Sequence, residues 1–314
     1  MSVSLSAHTG ARRSVGSLAA RPRLLAVLGA SCIAFSGILV RLSGASPSTA
    51  TVFRALYALP FLVLLAAPED RRLGPPPRRA RLLAVGAGLF FAIDLTTFHL
   101  AIEQMGAGLA TVMGNLQVIV VGIVAWLLLG ERPSRRVLAG APLAVVGVVL
   151  ISGVVGGGAY GRDPGLGVAY GLVTACSYAG YLLLIRQART PGRFVGPVRD
   201  ATAATVLGGL LGGIVIGDLV LVPSWPEHGW LIVLALSAQL AGGLLIAASL
   251  PFLPAVVSSL ILLSQPLAAV VLAALLIGEA PSPFQVAGVG LVLAGVALGT
   301  VGGIPAQFRR APEG

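Results

Sequence analysis

Long stretches of apolar residues, separated by short polar or arginine-bearing loops, run along the whole chain. A helix of about 20 residues crosses the roughly 30 Å hydrocarbon core of a membrane, and each stretch is long enough to do so. The pattern predicts an all-α integral membrane protein with ten transmembrane helices. Their predicted extents are 24–42, 47–66, 81–101, 107–129, 135–155, 165–185, 200–222, 229–250, 254–277 and 283–303.

The composition agrees with a membrane environment. Hydrophobic residues make up 56% of the 314 residues and charged residues only 10%, with a mean hydropathy of +0.95. Soluble chains carry about 25% charged residues. The net charge of +10 comes from arginine alone, because the chain contains no lysine. In short membrane loops such arginines set topology and contact anionic lipid, so membrane lipids, and not nucleic acid, are the expected partners.

The arginines also predict an orientation. Nearly all of them fall in loops on one side, whereas the other side has Arg162, and Arg41 and Arg54 lie within predicted helices. Positive charge is costly to translocate, so both ends of the chain, residues 1–23 and 304–314, are predicted to be cytoplasmic tails. The lack of lysine beside abundant alanine, glycine and arginine is typical of a GC-rich bacterial genome, which places the protein in the bacterial plasma membrane.

The chain contains an internal repeat. Residues 24–155 and 165–303 form two five-helix units, joined by a glycine-rich linker at 156–164. Because five is odd, the second unit must enter the membrane from the opposite side, giving an inverted repeat. Early positions match 145 residues apart and later ones 148 apart, so a three-residue insertion lies between the two matching blocks of the second half. The matched pairs include Ala34 with Ala179, Arg54 with Arg199, Gln117 with Gln265, Glu131 with Glu279, Gly140 with Gly288, and Gly147 with Gly295.

Three motifs resemble the EamA-like branch of the drug/metabolite transporter superfamily. These are LLLGERPSRR at 127–136, its echo LLIGEAPSPF at 275–284, and the run Ser264-Gln265-Pro266. One position departs from the symmetry, because Val118 matches Pro266. The resemblance implies export or exchange of small metabolites or drugs by alternating access without ATP, around a cavity walled by helices one, three, four, six, eight and nine.

Other classes fit the sequence less well. A membrane-embedded enzyme needs a reactive constellation, and a receptor usually adds a signalling domain; neither feature is evident. Cys32 and Cys176 have no metal-binding spacing, so no metal or cofactor is expected. The coupling ion, with protons as a candidate, the direction of transport and the oligomeric state stay open.

Ionisable residues inside hydrocarbon are candidate functional groups, because each is costly to bury. Asp94 lies about 20 Å from the cytoplasmic end of the third helix at 1.5 Å per residue, and Arg54 and Asn115 lie at similar depth in the second and fourth helices. The three are predicted to meet. Asp94 is either a structural ion-pair partner of Arg54 or a site for a proton or a cationic substrate group.

Four uncharged residues complete the predicted cavity. Gln117 and Gln265 are expected near the midplane on the repeat axis, either binding polar or zwitterionic cargo or joined by an interhelical hydrogen bond. Tyr178 and Tyr181 in the sixth helix are expected to line the same cavity.

Two further pairs of residues are expected near the membrane surface. His99 and Glu103 share a helix face near the outer mouth, as an exposed interfacial pair or as an outer gate. Glu131 and Glu279 each follow a helix end and are expected to cap the next helix along the chain.

Overall fold

The structure is a computed structural model that describes residues 22–129, 135–249, 253 and 255–300. The described residues form ten helical segments when pieces separated by a short break or a change of helix type are combined. They are α1 (Pro22–Ala34 and Ser36–Ser43), α2 (Pro47–Leu73), α3 (Arg78–Met105), α4 (Ala107–Gly114 and Gln117–Leu129), α5 (Arg135–Ile151), α6 (Pro164–Ala188), α7 (Val195–Ile216), α8 (Glu227–Leu234, a π-helix at Ala235–Gly242, and Gly243–Ser249), α9 (Ala255–Ile277) and α10 (Pro283–Thr300).

The predicted membrane fold is confirmed at the level of helices. In the described part of the chain, α1, α2, α3, α6, α7 and the first 20 residues of α8 are long and apolar enough to cross a membrane. The apolar parts of α4, α9 and α10 found there are shorter. The count of ten membrane spans therefore stays a prediction. Proline opens both α2 and α6, where its missing N–H costs nothing.

Helices from the two repeats pack mainly against each other. The most extensive contacts join α3 to α6, α5 to α10 and α2 to α7, and α1 packs along α8. A two-fold axis that exchanges the repeats maps the α3–α6 contact onto the α8–α1 contact. The same axis maps the α5–α10 contact and the α2–α7 contact each onto itself.

Four glycines show that the α5–α10 pair is antiparallel. A Cβ added to Gly140 would lie 2.2 Å from the carbonyl oxygen of Gly295, and one added to Gly147 would lie 2.6 Å from that of Gly288. The sequence repeat, however, matches Gly140 with Gly288. Equivalent positions thus exchange partners across the contact, as an inverted repeat requires, and only glycine allows the backbones to approach so closely.

The buried core lies toward one end of the bundle. We call this the linker end, because the 152–163 segment joins α5 to α6 there; the opposite end, where α2 ends and α3 begins, is the arginine-rich end. Several of the largest fully buried side chains lie around the turn from α3 to α4 at the linker end. They are Ile102, Met105, Leu109 and Met113.

Candidate functional site

Arg54 lies in the second turn of α2 and is only 7% exposed. Its Nε donates to Oε1 of Gln239 (3.0 Å) and its Nη1 donates to Oγ of Ser36 (2.9 Å). These contacts join α2 to α8 and α1. A buried guanidinium is therefore held between the two repeats by neutral side chains.

Gln239 belongs to the π-helix within α8, a local widening that is frequent at functional sites. It is also one of the two positions, with Gly242, that the sequence repeat offers as the counterpart of Asp94. The partners Gln239 and Ser36 were not predicted. The sequence did contain one signal for an irregular helix here, namely the change of the repeat offset from 145 to 148. The π-helix lies in the interval where that change occurs.

Asp94 lies in α3 and is 5% exposed. Its charge and that of Arg54 act on each other, yet no ion pair or hydrogen bond joins these two described side chains. The backbone carbonyl of Asp94 accepts from Thr97 (3.2 Å) and Thr174 (3.4 Å). The carboxyl group itself has no hydrogen-bond partner among the described residues. A locked structural ion pair between Arg54 and Asp94, one of the two predicted alternatives, is thus not formed.

Aromatic rings adjoin the two charges. The ring centroids of Phe91 and Tyr181 are 4.6 Å apart, and those of Tyr178 and Tyr181 are 5.5 Å apart, both in stacked arrangements. Phe91 lies one helical turn before Asp94, and Tyr178 lies near both Arg54 and Asp94. The two predicted tyrosines therefore lie beside the charged pair, together with a phenylalanine that the sequence analysis missed.

The predicted amides do not join this cluster through hydrogen bonds. Asn115 ends the first piece of α4, and its Nδ2 donates to the carbonyl of Thr111 (2.9 Å). Gln117 begins the second piece, and its buried Oε1 has no hydrogen-bond partner among the described residues. Gln265 is half-buried in α9, and no hydrogen bond links it to Gln117 in the described structure. A role for Gln117 and Gln265 in binding stays a prediction.

His99 and Glu103 occupy different environments. His99 is 1% exposed, and its Nδ1 lies 3.1 Å from both the carbonyl oxygen of Pro47 and Oγ1 of Thr51. Glu103 is exposed. The exposed interfacial pair, one of the two predicted alternatives, is therefore not formed, because the four-residue offset rotates the side chains about 40° apart, enough to turn one inward and the other outward. A role as an outer gate stays a prediction.

Glu279 is buried at the linker end and caps a helix of the other repeat. Its carboxylate accepts from the backbone N–H groups of Ala107 (2.5 Å) and Gly108 (3.0 Å), the first residues of α4. The prediction that Glu279 caps α10 is wrong. The chain reverses at Gly278 (φ +69°), which turns the carboxylate toward α4.

The start of α10 has its own cap. Ser282 and Gln285 bond each other reciprocally through side chain and backbone, in the pattern of a capping box. This leaves the Glu279 carboxylate free to hold α4. Glu131, the repeat counterpart of Glu279, lies outside the described residues.

Two inverted helical repeats that pack against each other form an architecture that many membrane transporters share. The sequence model of the EamA-like transporter family matches residues 21–153 and again residues 165–301. This chain belongs to the EamA-like transporter family, as the motifs had predicted.

Solved structures show the same fold. One of them, titled "Crystal structure of protein", aligns with a TM-score of 0.58 over 90% of this chain and 96% of its own, at 17% sequence identity. The comparison with curated proteins finds no match. The likeness to solved structures shows the fold alone.

Proposed function

We propose that this protein is a secondary transporter that exports or exchanges small polar metabolites, such as amino acids, or drugs across the bacterial plasma membrane. The arginine-rich end would face the cytoplasm, and both termini would lie there. A non-transporting receptor or a membrane-embedded enzyme is the alternative. Family membership favours transport, because the family consists of transporters.

The observation that carries the proposal is the unpaired state of Arg54 and Asp94. Both are buried and of opposite charge, yet they form no ion pair with each other. Two N–H groups of Arg54 are used by Gln239 and Ser36. The guanidinium has five, so three have no hydrogen-bond partner among the described residues. Charges left unsatisfied inside a bundle mark a place where cargo completes the bonding.

The chemistry of the site favours a zwitterion. A carboxylate can bond the free edge of Arg54, since a guanidinium presents parallel donors that match it. An ammonium group can face Asp94, and the stacked rings of Phe91 and Tyr181 offer an apolar wall for a side chain. An amino acid has all three features.

The burial pattern supports alternating access. Met105, Leu109 and Met113 are fully buried at the linker end, whereas Gln117 and Gln265 are half-buried. The repeats are thus tightly closed on the linker side of the site in this conformation. Transport would require the linker end to separate.

Asp94 is also the candidate proton carrier. A carboxyl group without a hydrogen bond in an apolar setting can be neutralised by a proton or by a substrate ammonium. The two roles differ in one consequence: proton coupling makes substrate flux move protons, whereas ammonium binding alone does not.

The first test is an untargeted comparison of metabolites inside and outside bacterial cells that express the wild-type protein, the Asp94→Asn variant or an empty vector. Asp163→Asn is the matched control, because it also removes one carboxylate while an amide oxygen can still accept from Leu166. We expect one compound class to shift with the wild type and the control but not with Asp94→Asn at equal membrane abundance. An equal shift in all three proteins would rule out Asp94 as a transport residue.

A further inference from the structure

An open groove of about 410 Å³ lies between the start of α3 and the end of α6, at the arginine-rich end. It is separate from the central site. Its lining residues are Arg78, Arg79, Leu82, Leu83, Gly86 and Leu184.

The groove faces the lipid side of the bundle. Leu82 is 62% exposed, and Leu89, Phe90 and Ile93 on the same helix are exposed large apolar residues. Asp94 and Phe91, which belong to the central site, are buried on the other side of α3. The apolar part of the groove therefore meets hydrocarbon.

A glycine creates the space. A Cβ added to Gly86 would contact only Leu184, at 3.5 Å, which is an ordinary distance. A larger residue would therefore fit at this position without disturbing the backbone, although it would fill the groove. Glycine within a helix costs about 1 kcal/mol relative to alanine, so helix stability does not explain its presence.

Two arginines stand at the mouth. Arg78 and Arg79 are the first residues of α3, both are exposed, and neither has an ion-pair or hydrogen-bond partner among the described residues. The result is a double positive charge directly above an apolar channel. This pattern matches an amphiphile with an anionic head and a hydrocarbon tail.

We propose that this groove is a specific binding site for an anionic phospholipid, whose phosphate bonds Arg78 and Arg79 and whose acyl chain lies along Leu82, Gly86 and Leu184. The bound lipid would sit on the α3–α6 joint, the most extensive helix contact among the described residues. It would therefore hold together the two helices that carry Asp94 and Tyr181. The proposal is independent of the transported substrate.

The test is native mass spectrometry of the purified full chain in detergent, titrated with phosphatidylglycerol or with phosphatidylcholine. The first variant, Arg78→Gln with Arg79→Gln, removes the charges. The second, Gly86→Phe, fills the groove and keeps both arginines. The control, Arg71→Gln with Arg72→Gln, removes two exposed charges at the end of α2 that do not line the groove.

We expect the wild type to prefer phosphatidylglycerol. The Arg78/Arg79 variant should bind it about 30-fold more weakly, from two arginine contacts, and Gly86→Phe at least about tenfold more weakly. The control should stay within about twofold of the wild type, and glycerol phosphate should not compete. Equal losses in the control, competition by glycerol phosphate, or an unchanged Gly86→Phe would each overturn the site.

Discussion

The two repeats place an arginine at equivalent positions, and the two arginines have different partners. Arg199, near the start of α7, donates to the carboxylate of Asp70 and makes an ion pair with Asp200 (2.8 Å). Arg54, near the start of α2, is held by the neutral Ser36 and Gln239. Arg199, near the arginine-rich end, is neutralised by carboxylates, whereas Arg54, near the linker end, has no carboxylate partner among the described residues.

Under the proposed function, this difference in partners separates charges that hold the helices together from charges that bind cargo. Two carboxylates fix one helix to another through several hydrogen bonds: Glu69 accepts from the three backbone N–H groups of residues 194–196 at the start of α7, and Glu279 caps α4. Asp94 is as deeply buried as Glu279, with 5% and 4% exposure, but its carboxyl group has no hydrogen bond from a described residue. This contrast supports the proposal that the cargo supplies the missing partner of Asp94.

The largest expected effect follows from replacing Arg54. Arg54→Gln keeps a donor for Ser36 but removes the positive charge opposite Asp94, so the bound cargo loses a buried charged contact. We expect transport into proteoliposomes to fall by about 100-fold, in the range for one partner of a buried charge pair.

The conservative variant sharpens this prediction. Arg54→Lys keeps the charge and loses the planar pair of donors, so it should recover part of the rate. If Arg54→Gln transports like the wild type in equal amounts of folded protein, Arg54 is a scaffold residue like Arg199.

Much of this architecture could be predicted from the sequence, because it depends on local or periodic features. The length of the apolar segments predicts the helices, and the paired glycines predict the repeat. Arg54 and Asp94 stand out because burying a charge in hydrocarbon is energetically costly. The six helices that meet the length and hydropathy needed for a membrane span all coincide with predicted ones.

The partners of those residues could not be predicted, because they depend on the phase of one helix against another. The π-helix of α8 shifts which residue faces inward, and so Gln239 reaches Arg54. Glu279 is close in sequence to α10, yet a single reversal at Gly278 sends it to α4. His99 and Glu103 lie on the border between a buried and an exposed face of α3, where sequence spacing does not decide which side chain is buried.

A middle-sized effect is expected for Glu279. In Glu279→Ala the N–H groups of Ala107 and Gly108 lose their acceptor at a buried helix start. We expect the free energy of unfolding to fall by about 2 kcal/mol, measured by chemical unfolding in detergent.

Glu279→Gln is the control for this scaffold contact. Its amide oxygen can still accept from one of the two N–H groups, so it should lose about half as much stability. A Glu279→Ala variant that is as stable as the wild type but cannot transport would contradict the scaffold role and place Glu279 with the site.

The smallest effect is expected for Arg199, although it pairs with two carboxylates, Asp70 and Asp200. Its side chain is 19% exposed and that of Asp70 is 34% exposed, so water and salt screen the pairing. Arg193 also bonds Asp70 (2.8 Å) and would keep that carboxylate partly neutralised after the change. We expect Arg199→Gln to lower the free energy of unfolding by no more than about 1 kcal/mol and to leave the transport rate within about twofold. Both are measured beside Arg54→Gln in the same detergent and liposomes. If Arg199→Gln stops transport as completely as Arg54→Gln, both arginines are needed for transport. The proposed distinction between a structural role of Arg199 and a cargo-binding role of Arg54 would then be wrong.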